Sequence, residues 1–216
     1  DGGVTRKEAL THARAVVEAT DLPVSADLEN GFGHEPSAAA KTVQRAAEAG
    51  LVGCSIEGFS GDPGLGFYDP DSAVARIAAS ADAARAVGFA FTLTGRSENF
   101  IRGDPDLDDT IARLKAYEAA GADVLMAPGL PDIAAVKTVC DALSKPFNFM
   151  VGIPGKSFTV AELAGAGVKR ISLATSLYHA AKSGVVAAAT EAKENGTFSS
   201  VDSSMPTPEF AGYMRG

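Results

Sequence analysis

The sequence has 216 residues, of which 46% are hydrophobic and 21% are charged, as expected for a globular domain with a sizeable core. Its formal net charge of −8, without a run of lysine or arginine, would repel a polyanion and argues against nucleic-acid binding. Apolar stretches stay short of the roughly 20 residues that cross a bilayer, so we predict no membrane partner and a cytoplasmic location. The two cysteines, Cys54 and Cys140, are predicted to be reduced core residues.

Helix and strand patterns alternate regularly along the chain. Thr5 and Glu8 have the spacing of a capping box, which predicts the start of the first helix. The predicted helices cover residues 5–19, 37–49, 71–86, 107–120, 132–143, 159–164 and 176–193. The predicted strands, all short and apolar, cover residues 22–27, 52–57, 89–94, 123–126, 146–151 and 169–173.

Short apolar strands that are each followed by a helix predict parallel βαβ units. We predict an α/β fold of the (β/α)8 TIM-barrel type; a doubly wound sheet, the alternative, more often carries a Gly-rich phosphate loop, which this sequence lacks. Eight units need roughly 250 residues, so we expect two further strands before Asp1. The barrel domain is placed at residues 1–195 and a polar C-terminal tail at residues 196–216.

Acidic and basic side chains follow three consecutive predicted strands. Asp27 ends the first strand and Glu29 follows it, Glu57 ends the second, and Arg96 and Glu98 follow the third. In a βα barrel these strand ends form the edge that carries the active site. Carboxylates there suit Mg²⁺, which prefers oxygen ligands and usually keeps several waters, and the planar fork of Arg96 suits a substrate carboxylate or phosphonate. Each acid taken alone has an equally good interpretation as a solvated loop residue.

Five segments occur in the order and spacing of the signature strands of the isocitrate lyase/phosphoenolpyruvate mutase superfamily, and the sequence resembles that superfamily over nearly its whole length. They are residues 23–33, 53–57, 95–98, 117–123 and 167–172. The segment Asp27-Leu-Glu29-Asn-Gly-Phe-Gly is the most specific of them. The resemblance implies a barrel enzyme that depends on Mg²⁺.

The resemblance also implies roles for individual residues. Asp27 matches the aspartate that binds Mg²⁺ directly, and Glu29 and Glu57 match acids that hold metal-bound waters. Asp1 matches an aspartate, in the loop after the second barrel strand, that also reaches those waters. Arg96 matches the arginine that grips the acidic end of the substrate, and Arg96 and Glu57 are the predicted catalytic residues.

The segment of residues 58–69, which the resemblance implies is a lid, departs from the pattern of the superfamily because it contains no Cys, Lys or His. Cys54 lies inside a strand, so it cannot replace the acid–base cysteine of the isocitrate lyases. Gly58 stands where the superfamily has a further acid. Cleavage of isocitrate itself and phosphonate mutation are both disfavoured by these departures.

We therefore expect a Mg²⁺-dependent lyase that cleaves a C–C bond of a small 2-oxo acid or dicarboxylate, like an oxaloacetate decarboxylase or an isocitrate lyase. The metal would stabilise an enolate as the bond breaks. The alternatives are P–C bond chemistry on a phosphonate and a non-catalytic metabolite-binding protein. Asn148, in a strand, is predicted either to bind substrate or to be a satisfied core amide. The resemblance further implies a homodimer or homotetramer that exchanges its last helix, residues 176–193.

Overall fold

The computed structural model describes residues 3–214 and divides the chain into two compact units, Asp1–Ser172 and Leu173–Gly216. In the first unit, helices and strands alternate. Its helices are α1 (Arg6–Glu18), α2 (Pro36–Glu48), α3 (Pro70–Arg85), α4 (Leu107–Ala119), α5 (Ile133–Ala142) and α6 (Val160–Gly165). Its strands are β1 (Ser25–Asp27), β2 (Gly53–Glu57), β3 (Thr92–Arg96), β4 (Val124–Met126), β5 (Phe147–Met150) and β6 (Arg170–Ser172).

The six strands form one parallel sheet in which each strand pairs with the next one along the chain, in the order β1 to β6. This order has no switch point, so it excludes the doubly wound alternative. The sheet curves into a half-barrel, and the Arg170 guanidinium on β6 donates a hydrogen bond of 3.3 Å to the Ser25 hydroxyl on β1. The predicted α/β class with a parallel sheet is confirmed, whereas closure by eight strands stays a prediction.

Local sequence signals place the helices within one or two residues. The capping box of Thr5 and Glu8 begins α1. Glycines follow α2, α4 and α6 at the predicted Ala-Gly junctions, where Gly50, Gly121 and Gly167 adopt φ values of 92°, 105° and 101°. Only glycine adopts this left-handed conformation without strain, so each junction ends a helix and turns the chain back into the sheet.

Two strands differ from their predicted bounds by more than one residue. β1 begins at Ser25 instead of residue 22, and β3 covers Thr92–Arg96 instead of residues 89–94. β3 is set by pairing with β2, which places Arg96 opposite Glu57, while the apolar Phe89 is 47% exposed. The shift brings Arg96 into the strand itself and makes it the last residue of β3.

The second unit contains α7 (Ser176–Asn195) and two short helices, α8 (Ser200–Ser203) and α9 (Thr207–Tyr213). α7 matches the predicted long helix, whereas α8 and α9 lie in the segment predicted to be a polar tail. The placement of a domain boundary at residue 195 stays a prediction. Within the described part of the chain, no helix combines the length and apolar character that a membrane crossing requires.

Candidate active site

The carboxyl ends of β1, β2 and β3 bring predicted site residues together at one edge of the sheet. Asp27 is the last residue of β1, Glu57 the last of β2 and Arg96 the last of β3. Because neighbouring parallel strands end side by side, these three side chains meet although 69 residues separate Asp27 from Arg96. Glu57 is 2% exposed and Arg96 is 8% exposed, so the contacts between them are shielded from water.

Arg96 lies at the centre of this edge, and each of its three nitrogens faces a different carboxylate. One terminal nitrogen donates to Asp27 Oδ2, and the other forms a close ion pair with Glu57 Oε2. The third nitrogen, Nε, lies 2.8 Å from Glu98 Oε1. The guanidinium therefore holds three acids in one constellation and prevents them from repelling one another.

A second arginine, Arg102, extends the constellation. Its Nε donates a hydrogen bond of 3.0 Å to Glu98 Oε2, and one terminal nitrogen lies 3.6 Å from Glu57 Oε1. Its guanidinium carbon lies 4.1 Å from the centre of the Phe59 ring, at cation–π distance. We call the set of Asp27, Glu57, Glu98, Arg96 and Arg102 the acid–arginine cluster. With three acids and two arginines ionised, it has one formal negative charge in excess.

The acids of the cluster titrate differently. Burial raises the pKa of Asp27, but the charge and hydrogen bond of Arg96, with donors from Glu29 and Ser55, offset this and hold its pKa below the ordinary value. Burial also raises the pKa of Glu98, and there the two arginines do not fully offset it. Asp27 therefore stays ionised at neutral pH, and its side chain, 55% exposed, is the accessible carboxylate of the cluster.

The donor set fits a magnesium ion that is held partly through water. Both carboxylate oxygens of Glu57 are buried, and they face Arg96 and Arg102 in ion pairs. Each carboxylate oxygen has more than one lone pair, so Glu57 could also accept hydrogen bonds from metal-bound waters. Within residues 3–214, no three His, Cys, Asp or Glu side chains converge on a common point where all could bind a metal. Asp1, the fourth predicted metal-binding acid, lies outside the described residues.

Glu29 lies beside Asp27 in the loop after β1, with a left-handed φ of 49°. Its N–H donates to Asp27 Oδ1 at 3.0 Å, and its carbonyl accepts from the Glu57 N–H at 3.0 Å. The backbone of Glu29 thus joins the ends of β1 and β2. A metal-binding role for its carboxylate stays a prediction.

The loop after β1 is fixed by Arg76 on α3, a residue that the sequence did not single out. Its side chain is buried, with 1% of the residue exposed. The guanidinium donates to backbone carbonyls of the loop, those of Asn30, Gly33, His34 and Glu35. Burial lowers the pKa of Arg76, an effect that Tyr68, Tyr117 and Glu35 partly oppose. The buried guanidinium of Arg76 therefore holds the loop that carries Glu29 in place.

The predicted lid, residues 58–69, is a hairpin whose ends meet in an antiparallel bridge between Phe59 and Phe67. Each of three aromatic side chains in the lid faces an arginine. The guanidinium-to-ring distances are 4.1 Å for Arg102 and Phe59, 5.7 Å for Arg113 and Phe67, and 4.3 Å for Arg76 and Tyr68. The lid is thus packed against α3, α4 and the turn that follows β3.

Two sequence departures have structural explanations. A Cβ atom at Gly58 would lie 2.3 Å from the Tyr117 hydroxyl, so the position that is acidic in the superfamily has no room for a side chain here. Cys54 is buried in β2, and burial, together with the charge of Asp27, raises the pKa of its thiol to about 12. A thiol of this kind is a poor acid–base group at neutral pH.

Asn148, the predicted substrate-binding amide, is fully buried on β5. Its amide nitrogen donates to the Ser172 hydroxyl at 3.0 Å, and its oxygen accepts from the Arg170 guanidinium at 3.0 Å. These bonds match the interpretation of Asn148 as a satisfied core amide; a contact with substrate stays a prediction.

Sequence reasoning placed Glu98 among the strand-end acids without a role of its own, and it did not single out Arg102 or Arg76. Glu98 and Arg102 are four residues apart, the spacing at which an acid and a base pair within a helical turn, and this signal was available. Arg76 had no such signal, because its partners are backbone carbonyls more than 40 residues away.

Comparison with known proteins identifies the family of this chain. A sequence model of the family described as phosphoenolpyruvate phosphomutase matches residues 1–193. A probable 2-methylisocitrate lyase from Corynebacterium glutamicum is 35% identical over 137 residues, which is 60% of this chain and 43% of that protein. An oxaloacetate decarboxylase from Paraburkholderia xenovorans is 31% identical over 174 residues, 77% of this chain and 56% of that protein.

A solved structure of a lyase or mutase candidate from Burkholderia cenocepacia has a TM-score of 0.95 and 46% identity. The match covers 99% of this chain and 77% of that one. The chain spans about half the length of the two curated relatives, 43% and 56%. Since the family match extends over most of the sequence, the chain belongs to the phosphoenolpyruvate phosphomutase family, within the isocitrate lyase/phosphoenolpyruvate mutase superfamily.

Proposed function

We propose that this chain acts as a Mg²⁺-dependent lyase that cleaves a C–C bond of a small 2-oxo acid or dicarboxylate, with decarboxylation of an oxaloacetate-like acid as the first reaction to test. The observation that carries the proposal is the meeting of Asp27, Glu57 and Arg96 at the ends of three adjacent strands. The relatives named as a probable 2-methylisocitrate lyase and an oxaloacetate decarboxylase support it, since both names describe C–C bond cleavage.

In this proposal Asp27 holds the metal directly, and Glu57 and Glu29 hold its waters. The ion supplies a Lewis acid that favours negative charge on the substrate as the bond breaks. Asp1, outside the described residues, would add a further water-mediated contact.

Arg96 binds the acidic end of the substrate. To do so, one of its nitrogens must exchange a carboxylate of the protein for a carboxylate of the substrate. Asp27 is the partner that can leave, because its side chain is 55% exposed while those of Glu57 and Glu98 are at most 1% exposed. With Asp27 as a ligand of the metal, the Arg96 nitrogen that it occupies in this structure would be available to the substrate. Asp27 would thereby link the metal site to the substrate site.

The test is the release of pyruvate from oxaloacetate, measured with Mg²⁺ and with chelator, in the parent protein, Asp27→Asn and Asp141→Asn. Asp141 is the matched control because it is an exposed acid paired with Lys137 on α5. We expect Mg²⁺-dependent turnover in the parent, a loss of about 100-fold in Asp27→Asn, and a change within about twofold in Asp141→Asn. A parent without turnover of oxaloacetate or 2-methylisocitrate would instead support a non-catalytic metabolite-binding role.

We also infer that β1 to β6 are six of the eight strands of a closed barrel, and that the protein forms a homodimer or homotetramer through α7. The near-complete overlap with a longer chain of the same fold supports the first inference. Exposed apolar side chains on α7, among them Leu177, Val185 and Val186, support the second. Sedimentation at micromolar concentration tests the assembly, and a monomer would contradict it.

A further inference from the structure

Glu98 is the most deeply buried acid of the acid–arginine cluster, with 1% of the residue exposed, yet the proposed chemistry gives it no role. It does not end a strand; it follows β3 by two residues and precedes a 3-10 turn over Asn99–Ile101. Keeping a carboxylate ionised at such a position costs free energy, and its raised pKa reflects that cost. A buried charge that is retained in this way needs partners that offset its desolvation.

Its two oxygens are divided between the two arginines. Oε1 lies 2.8 Å from Arg96 Nε, and Oε2 accepts the hydrogen bond from Arg102 Nε at 3.0 Å. The contact at Nε is an ion pair without hydrogen-bond geometry, since neither Arg96 Nε nor Glu98 Oε1 has a hydrogen-bond partner. It holds a buried negative charge at the Nε edge of the Arg96 guanidinium and leaves the two terminal nitrogens for other carboxylates. Those two nitrogens are the ones that face Asp27 and Glu57.

Arg102 also contacts the lid. Its guanidinium faces the Phe59 ring of the lid at 4.1 Å, and its side chain is 26% exposed. Its position is therefore set by the lid as well as by the cluster. A chain of contacts runs from Phe59 through Arg102 and Glu98 to Arg96, the residue that binds substrate in the proposed function.

From this geometry we propose that Glu98 and Arg102 are positioning residues that hold the Arg96 guanidinium in the orientation that a substrate carboxylate requires. Neither residue reacts. Glu98 holds Arg96 through the ion pair at Nε, and Arg102 holds Glu98 in place, with a charge that favours its ionised form. The expected effect on ligand binding rests on the proposed function, whereas the orientation of Arg96 rests on its contacts with the three acids.

The orientation is tested first, without any ligand, by nitrogen-15 NMR of the arginine Nε–H groups in the purified protein. We expect resolved, slowly exchanging signals from Arg96 and Arg102, assigned with Arg96→Lys and Arg102→Lys. Glu98→Gln should broaden or remove both signals while the far-ultraviolet circular dichroism is unchanged. The matched control is Arg113→Met, which removes the arginine that faces the other lid phenylalanine, Phe67, and should leave both signals intact. If the Arg96 signal survives in Glu98→Gln, or exchanges rapidly in the parent, the inference is wrong.

The consequence for binding is measured by calorimetric titration of oxalate at saturating Mg²⁺. We expect Glu98→Gln and Arg102→Met to weaken oxalate by about tenfold or more, and Arg113→Met to change it by less than about twofold. Affinity for Mg²⁺ alone should stay within about threefold in Glu98→Gln, which a general loss of structure would not allow. Glu98→Asp, which keeps the charge, should restore part of the affinity.

The NMR experiment and the calorimetric titration test the positioning of Arg96 and the proposed function separately. A parent that shows the expected Arg96 signal but binds no oxalate contradicts the proposed function and leaves the positioning of Arg96 supported. A parent that binds oxalate with Mg²⁺, and does so equally well in Glu98→Gln and Arg102→Met, contradicts the positioning inference alone.

Discussion

Arg76→Met removes the buried cation that holds the loop after β1. The methionine side chain keeps most of the packing of the arginine stem, so the change isolates the guanidinium and its contacts with loop carbonyls. Apart from the longer contact with Glu35, the guanidinium donates to the carbonyls of Gly33, at 2.8 Å, Asn30 and His34. A hydrogen bond from a charged donor contributes about 1.5–3 kcal/mol, and water can replace part of it at the loop surface. We therefore expect the free energy of unfolding to fall by about 3–5 kcal/mol.

The assay is urea denaturation followed by circular dichroism, with the free energy obtained by linear extrapolation. Arg85→Met is the matched control because Arg85 lies on the same helix, 60% exposed, and pairs with Asp82 at 3.6 Å. It should cost at most about 1 kcal/mol. A loss below about 1 kcal/mol in Arg76→Met, or equal losses in both variants, would refute the claim that this buried cation fixes the loop.

Three further changes follow from single contacts. Gly58→Ala should lower the free energy of unfolding by about 1–3 kcal/mol, because its Cβ would meet the Tyr117 hydroxyl at 2.3 Å. Gly184→Ala, whose Cβ would have open space within 4 Å, should stabilise α7 by up to about 1 kcal/mol. Equal effects of the two substitutions in thermal or urea unfolding would contradict the packing argument. The thiol of Cys54, with a pKa of about 12, should react with a thiol reagent at pH 8 only after unfolding in urea, and rapid native labelling would contradict its burial. The Glu191 carboxylate accepts hydrogen bonds from hydroxyl and amide groups in the turn before α8, and these lower its pKa to about 2. Its stabilisation of that turn is complete above the ordinary glutamate pKa and is lost as pH falls toward 2; an NMR titration midpoint near the ordinary value would contradict it.

The helices and their ends could be predicted from the sequence because their signals are local. The capping box at Thr5 and the glycine in each Ala-Gly junction act within a few residues, and they appear in the structure at the predicted positions. Strand bounds depend on pairing with a distant segment, which a single sequence does not reveal. β3 was therefore placed too early, and Arg96 was predicted to follow a strand that it in fact ends.

The candidate site was predictable only in part, for the same reason. Asp27, Glu57 and Arg96 meet because parallel strands end at one edge, and fold-level reasoning is sufficient to expect that. Their pairing with one another depends on side-chain directions, and so does the division of Glu98 between two arginines. Reasoning from strand ends placed the acids and Arg96 at one edge, and it did not reveal that the Arg96 guanidinium contacts three of these acids directly.

The central claim is that the acids at these strand ends bind Mg²⁺ and a 2-oxo acid as one site. The most direct test is calorimetric titration of oxalate, a mimic of the enolate of such an acid, into the protein with and without Mg²⁺. We expect binding with Mg²⁺ and none with chelator, and loss of binding in Asp27→Asn. Absence of binding with Mg²⁺, or binding that is the same without the metal, would contradict the account.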